Sequence, residues 1–347
     1  MTDLMAVIGV VLNGLPQGLL ALAYGFASVP TALAFFVGAI GNTVTQSVAP
    51  ISFQAETITY AGTAGKDRSE RCTMIFIGGV IMALIGALGL LTKIVNFVGE
   101  DVAFGMMAGV GIILTKAAID MVKSDAISGG VSLAVALITY YFTKDSANTL
   151  VYTIVISVVA SCIANAIFNK EKSSIIVEDD KFIRQKFTIN ANVILASTWS
   201  PTFNSPYISF GGITAGMATG GNYNVDTLTV ISSLADMCSS FFGGAPVESI
   251  ISATANAPHA VWAGVAMMVV IGVILLLKLL PKIGKYVPAS SIAGFLFVLG
   301  IFKTVVLDAP SALATNAAVG GTTMVVTALT NPFLGMLAGV AAKFLGL

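Results

Sequence analysis

Polar residues are so sparse along this chain that the gaps between them define its elements. The runs 4–53, 72–92, 146–168 and 187–225 contain no Asp, Glu, Lys or Arg. A helix needs about 20 apolar residues to cross the hydrocarbon of a bilayer. Several runs therefore span once, and the longest must span twice. The pattern predicts about fourteen membrane segments, near 4–24, 30–47, 50–62, 72–92, 102–122, 127–143, 147–168, 190–220, 226–242, 246–257, 260–280, 287–307, 311–329 and 332–346. The most polar stretch, 169–187, reads as an extramembrane link, which divides the chain into a first seven-segment repeat (1–168), a linker (169–189) and a second seven-segment repeat (190–347).

The halves align in collinear order, with a shift that drifts by three residues. With a shift of 189 residues, Lys93-Ile94 falls on Lys282-Ile283, Gly105 on Gly294, Gly111-Ile112 on Gly300-Ile301 and Thr115 on Thr304. Earlier in the chain a shift of 192 places Glu56-Thr57-Ile58 on Glu248-Ser249-Ile250, and a shift of 191 places Asn13 on Asn204 and Gly25 on Gly216. An odd number of segments per half inverts the second half in the membrane. Such inverted-topology repeats are characteristic of secondary transporters. The expected fold class is an all-α integral membrane protein built as this repeat.

Composition agrees with a membrane protein. Of 347 residues, 56% are hydrophobic and 10% charged, against about 25% charged in soluble domains. Formal net charge is zero, so no basic patch argues for nucleic acid. Cys72, Cys162 and Cys238 lie far apart and suggest neither a disulfide framework nor a metal centre. No phosphate-binding glycine loop, HExxH or GxSxG occurs, so nothing argues for an enzyme or a bound cofactor. Met1-Thr2-Asp3 lacks the positive region of a secretory signal, so the first segment is expected to stay as a spanning helix.

Segments three and ten carry the candidate chemistry. They run Pro50-Ile51-Ser52-Phe53-Gln54-Ala55-Glu56-Thr57 and Pro246-Val247-Glu248-Ser249-Ile250-Ile251-Ser252. Both segments are too short to cross the bilayer, and proline at each start favours an extended lead-in followed by a half-helix. Broken backbone is tolerated in a membrane only against protein or a wet cavity. Half-helix N-termini there offer unpaired N–H groups and partial positive charge to a small planar or anionic solute. Glu56 and Glu248 are placed in the first turns of these half-helices. Each is a candidate for binding solute and for carrying the coupling proton, since burial raises a carboxyl pKa. The structural alternative is a capping carboxylate. Gln54, Thr57, Ser249 and Ser252 would add hydrogen bonds, with helix packing as their other role. Segment eight offers Asn204, Ser205 and Tyr207 beside Trp199, either to read a flat solute or as an interfacial belt. Segment one adds Asn13 and Gln17. Asp236, in the middle of segment nine, is a second coupling acid or a partner for a polar neighbour. Asp226 is expected to cap that segment, and His259 to lie at the membrane interface.

Three stretches resemble the nucleobase–cation symporter-2 family, which includes xanthine, uracil and ascorbate permeases and their hypoxanthine/guanine relatives. They are Phe241-Phe242-Gly243-Gly244-Ala245-Pro246, Val98-Gly99-Glu100-Asp101 leading into Gly105–Gly111, and Tyr286-Val287-Pro288 leading into Gly294. The resemblance implies a core of segments 1–4 and 8–11 interleaved with a gate of segments 5–7 and 12–14. It implies segments three and ten crossing at a nucleobase, uptake coupled to H+ or Na+, and a homodimer as ordinary for the family. The chain departs from the family at segment ten. Ser252 occupies the family's glutamate position, and Glu248 stands only two residues after the proline. An anion transporter of the sulfate-transporter-like architecture, or a non-transporting membrane scaffold or sensor, are the alternatives. Solute and lipid bilayer are the expected partners. For orientation, Lys66–Arg71, Lys116–Lys123, Lys170–Lys186 and Lys278–Lys285 hold 13 of the 17 Lys and Arg. The positive-inside rule then puts the termini outside, whereas the resemblance puts them inside.

Overall fold

The computed structural model describes residues 2–146, 149–168, 181–190, 193, 224–250, 253–284, 287–330 and 332–346. The chain forms two compact units, each built from two separate stretches. One comprises Met1–Lys93 and Ile175–Lys285, the other Ile94–Ser174 and Tyr286–Leu347.

The first unit contains α1 (Thr2–Ala23), α2 (Ser28–Thr45), β1 (Ile51–Ser52), α3 (Ala55–Ala64) and α4 (Arg68–Ala87). From the later stretch come α9 (Val225–Phe241), β2 (Glu248–Ser249), a 3-10 turn (Ala253–Asn256), α10 (Ala260–Leu276) and α11 (Leu279–Gly284). Between the units' stretches runs α5 (Leu91–Val98). The helix α9 packs on α4 and α2, and α10 packs on α2 and α1. Asp67 starts α4 by accepting the Glu70 N–H at 2.8 Å. The cap of α9 is Asn224, which accepts the Thr227 N–H at 3.0 Å. Asp226, expected in that role, instead accepts the Leu91 N–H at 2.9 Å and satisfies the first donor of α5. One residue earlier, Asn224 has the extended backbone that a cap requires.

The second unit contains α6 (Glu100–Ser124), α7 (Ala126–Thr143) and α8 (Thr149–Phe168). It continues with a 3-10 turn (Ala289–Ile292), α12 (Ala293–Val298), a π-helical stretch (Leu299–Val305), α13 (Val306–Leu329) and α14 (Pro332–Phe344). The helix α13 packs on α6 and α14, and α7 packs on α8 and α12. Glycines let these backbones meet. A Cβ on Gly111 would lie 2.5 Å from the Gly300 carbonyl oxygen, and one on Gly300 would lie 2.5 Å from the Gly111 carbonyl oxygen. Gly105 meets the Gly320 carbonyl and Gly294 the Ser132 carbonyl in the same way, at 2.6 and 2.3 Å.

The boundary expected at 308–310 lies elsewhere. Helix runs through Pro310 and breaks at Asn316, whose φ of −152° and ψ of 105° are extended. Proline removes one donor, but the preceding π stretch has already altered the hydrogen-bond ladder. Asn316 offers its own side-chain oxygen to the N–H groups of Ala318 and Val319, at 3.1 and 3.2 Å, and so opens a new helical run.

Asp125, between α6 and α7, caps α7. Its Oδ1 accepts the Ser128 N–H and its Oδ2 the Ser290 hydroxyl, both at 3.0 Å. Burial pushes this carboxyl up, but the bonds from Ser128 and Ser290 outweigh it and hold it below its ordinary value of 3.8. A depressed carboxyl stabilises the fold above its unfolded pKa, and that contribution fades as pH falls through the folded value. Asp125→Ala is expected to cost about 1 kcal/mol near neutrality, with the gap closing as pH is taken below 3.8. Thermal unfolding of both proteins in detergent across that range checks it. A gap that stays constant would show that the carboxylate charge plays no part.

Candidate functional site

The site is built around two extended stretches that meet antiparallel inside the first unit. Ile51 pairs with Ser249 and Ser52 with Glu248, and the Ile250 N–H donates to the Pro50 carbonyl at 2.8 Å. Extended backbone at membrane depth has no water to bond, so each polar group needs a protein partner. Asn42, near the end of α2, donates to the Ala49 carbonyl at 2.7 Å. The hydroxyl of Thr31 accepts the Ala245 N–H at 2.8 Å and donates to the Ala27 carbonyl at 2.6 Å. From α9, Ser239 donates to the Ala245 carbonyl at 2.7 Å, Asp236 accepts the Val247 N–H at 2.8 Å, and Ser232 donates to the Val247 carbonyl at 3.3 Å. Small residues let the stretches in. Cβ atoms on Gly14, Gly38 and Gly264 would meet Ser52, Ile51 and Pro50 respectively.

These bonds explain where the helices start. Residues 245–247 are held extended by Thr31, Ser239, Asp236 and Ser232, so Glu248 cannot occupy a first helical turn as the sequence suggested. It lies on β2, and the described helical backbone resumes only at Ala253, as a 3-10 turn. The antiparallel pairing sets Ser52 opposite Glu248 and Ile51 opposite Ser249. Glu56 lies in a helix and Glu248 on a strand, so the two glutamates occupy different local structures.

Glu56 occupies the second position of α3, after Gln54 at the N-cap. The first intrahelical bond runs from the Ile58 N–H to the Gln54 carbonyl at 3.1 Å, and the Gln54 side chain makes no capping bond among the described residues. The Thr57 hydroxyl donates to Glu248 Oε1, joining the first turn of α3 directly to β2. Glu248 is 1% exposed and Ser249 3%. The Ser249 hydroxyl finds no partner among the described residues. Asn13 lies on α1. Asn204, Ser205, Tyr207 and Ser252 lie outside the described residues. Asp236 is buried in mid-α9, bonded to the Val247 N–H. His259 bonds Asp3 at the foot of α10, Nδ1 to Oδ2 at 3.0 Å, with its side chain 73% exposed.

Thr31, Asn42, Ser232 and Ser239 were not foreseen. The α9 group had a readable signal: Ser232, Asp236 and Ser239 fall at i, i+4 and i+7 and so share one helix face, on a helix whose buried side this is. Thr31 and Asn42 sit among apolar neighbours with no such pattern.

Helices long and apolar enough to cross a bilayer include Ser28–Thr45, Arg68–Ala87, Glu100–Ser124 and Ala126–Thr143, together with the span Ser290–Leu329. They define a multi-pass integral membrane protein.

No protein-family model matches the chain, and no curated protein matches it in sequence. Solved structures do match in fold. The transmembrane domain of a cyanobacterium bicarbonate transporter, BicA, aligns with a TM-score of 0.68 at 15% identity, over 98% of this chain and 97% of that one. The murine Solute Carrier 26 family member A9 anion transporter, inward-facing, aligns at 0.70 and 14% identity, over 99% of this chain and 68% of its own length. A further SLC26A9 structure aligns at 0.71 and 15% identity, over 99% of this chain, which spans 64% of it.

These neighbours overturn the resemblance to nucleobase symporters, since they are anion transporters. The motif that carried the resemblance has a structural cause. Gly243 has a φ of +91°, and a Cβ on Gly244 would lie 2.2 Å from Ser239 Oγ and 2.7 Å from the Thr31 nitrogen. Phe241–Pro246 is shaped by the turn from α9 into β2.

Proposed function

We propose that the chain carries a small inorganic anion across the membrane by alternating access, coupled to a proton or sodium ion through Glu248. The fold supports the substrate class, since its neighbours are a bicarbonate transporter and an anion transporter. The observation that carries the reading is the hydrogen bond from Thr57, in the first turn of α3, to the buried Glu248 carboxylate on β2. The first-turn amides of α3 attract an anion, and the Ser249 hydroxyl, on the strand paired with β1, is a buried polar group with no partner among the described residues. The Glu248 carboxylate opposes that anion. Two like charges about 4 Å apart repel by about 4 kcal/mol at an effective dielectric of about 20, nearly a thousandfold in occupancy. Anion and ionised Glu248 are therefore poorly compatible, and a proton or sodium ion on the carboxylate relieves the conflict. Coupling follows from charge neutralisation.

The test is uptake into proteoliposomes of labelled bicarbonate, chloride and sulfate, with and without an imposed pH or Na+ gradient. At least one anion is expected to accumulate when a gradient is applied. Folded, reconstituted protein that moves none of them above protein-free vesicles overturns the reading, as does transport restricted to uncharged solutes.

A further inference from the structure

Residues 181–190 run as an extended strap along the first unit, at the level where two membrane helices end. The Ser69 hydroxyl, in the first turn of α4, donates to the Lys186 carbonyl and lies 2.9 Å from Thr188 Oγ1. The Thr188 N–H donates to Thr73 Oγ1 at 3.1 Å, and the Asn190 amide donates to Glu70 Oε1 at 2.7 Å. At the other side, the Gln185 N–H donates to the Phe241 carbonyl at 2.9 Å, at the last residue of α9. The Phe187 ring sits inward, 4.7 Å from Phe76 and 5.8 Å from Phe241 between centroids.

The outward side combines two chemistries. Lys181, Arg184 and Lys186 are exposed, and the Arg184 guanidinium lies 5.3 Å from the centre of the Phe241 ring. Between and beside them, Phe182, Ile183 and Ile189 are 48%, 43% and 69% exposed. No acidic residue falls within 181–190, although Glu178-Asp179-Asp180 precede it in the sequence. The nearby acids are engaged. Asp67 caps α4, and Glu70 accepts from the Lys66 N–H at 2.9 Å and from Asn190. Cations interleaved with exposed apolar side chains at the ends of membrane helices suit neither water nor hydrocarbon. They suit the headgroup layer, where the apolar groups reach acyl chains and the cations meet phosphate.

We propose that this strap is a binding site for anionic phospholipid, with Lys181, Arg184 and Lys186 holding the headgroup phosphate and Phe182, Ile183 and Ile189 seated among the acyl chains. A soluble acidic peptide would match the charges but leave three large apolar side chains in water.

The experiment uses the full chain in neutral detergent, titrated separately with phosphatidylglycerol, phosphatidylcholine and inorganic phosphate, and read by thermal unfolding and by lipid retention in native mass spectrometry. Phosphatidylglycerol is expected to raise Tm and to be retained, phosphatidylcholine much less so, and phosphate alone to have no effect. Each cation near an anionic surface contributes about a kcal/mol, so Lys181→Gln/Lys186→Gln is expected to retain phosphatidylglycerol about thirtyfold more weakly. Its Tm in phosphatidylcholine should be unchanged, since among the described residues neither side chain makes a hydrogen bond or ion pair that holds the strap. Phe182→Ser/Ile189→Ser provides a second, charge-neutral variant, expected to weaken retention without changing its dependence on salt. Equal response to the two lipids overturns the proposal, as does a phosphatidylglycerol preference that survives in both variants. A shift reproduced by phosphate alone assigns the site to a free anion and also overturns it.

Discussion

Gly111→Val is expected to cost about 3 kcal/mol, and Gly300→Val a similar amount, seen as a Tm lower by several degrees and a reduced monodisperse yield. The two glycines touch reciprocally. A Cβ on either lies 2.5 Å from the carbonyl oxygen of the other, and those on Gly111 and Gly300 also come within 2.9 Å of Thr304 Cβ and 2.7 Å of Thr115 Oγ1 respectively. Real Cβ atoms do not approach oxygen so closely, and here the obstacle is helix backbone, which cannot rotate aside. In lipid no hydrophobic force pushes helices together, so close approach through small residues is itself a main source of association. Gly130 provides the control, since a Cβ there meets nothing within 4 Å. Gly130→Ala should leave Tm unchanged or raise it slightly, by the helix propensity of alanine. If Gly111→Val unfolds no more easily than Gly130→Ala, the contact does not hold the second unit together.

Glu248→Gln is expected to abolish gradient-driven accumulation of the anion, by at least tenfold, while leaving Tm within about two degrees of the parent. The amide keeps an oxygen for the Thr57 hydroxyl and nearly the same volume, so β2 keeps its place. What it loses is the negative charge that a proton or sodium ion must neutralise. Exchange of labelled anion with no gradient should therefore continue, because the amides of α3 are untouched. Measuring both modes on the same vesicles separates the effects. Loss of both would point to binding rather than coupling. Accumulation that still follows the gradient would move the coupling group elsewhere, and Asp236 is a buried carboxylate bonded beside β2.

Much of this was legible because hydrocarbon restricts what a chain can do. Long charge-free runs mark spanning helices such as α2, α7 and all but the first turn of α4, and prolines at 50 and 246 mark the broken ones. The register of the break was not legible. Aligning Glu56 with Glu248 matched residue types, but the helix start after Pro246 is postponed by hydrogen bonds from Thr31, Asp236 and Ser239, which come from distant stretches. No local pattern encodes that delay. The likeness to nucleobase symporters failed for a related reason: Gly243-Gly244-Ala245-Pro246 answers to the steric demands of the turn from α9 into β2. The break at Asn316 was masked by Pro310, the stronger punctuation on paper, although asparagine carries the acceptor that starts a helix.

The pairing of β1 with β2 also constrains the order of events during synthesis. The partner of Ile51 is made about 200 residues after it, some 10–40 s at the usual 5–20 residues per second. Throughout that interval the open backbone of 49–53 lacks its ladder, and α2 has neither α9 nor α10 to lie against. The first unit therefore cannot mature from the ribosome outward. Its early helices stand without those partners while the first stretch of the second unit is made. A ribosome stalled between residues 94 and 224 should hold β1 open to backbone hydrogen exchange, and release of the segment through 250 should close it.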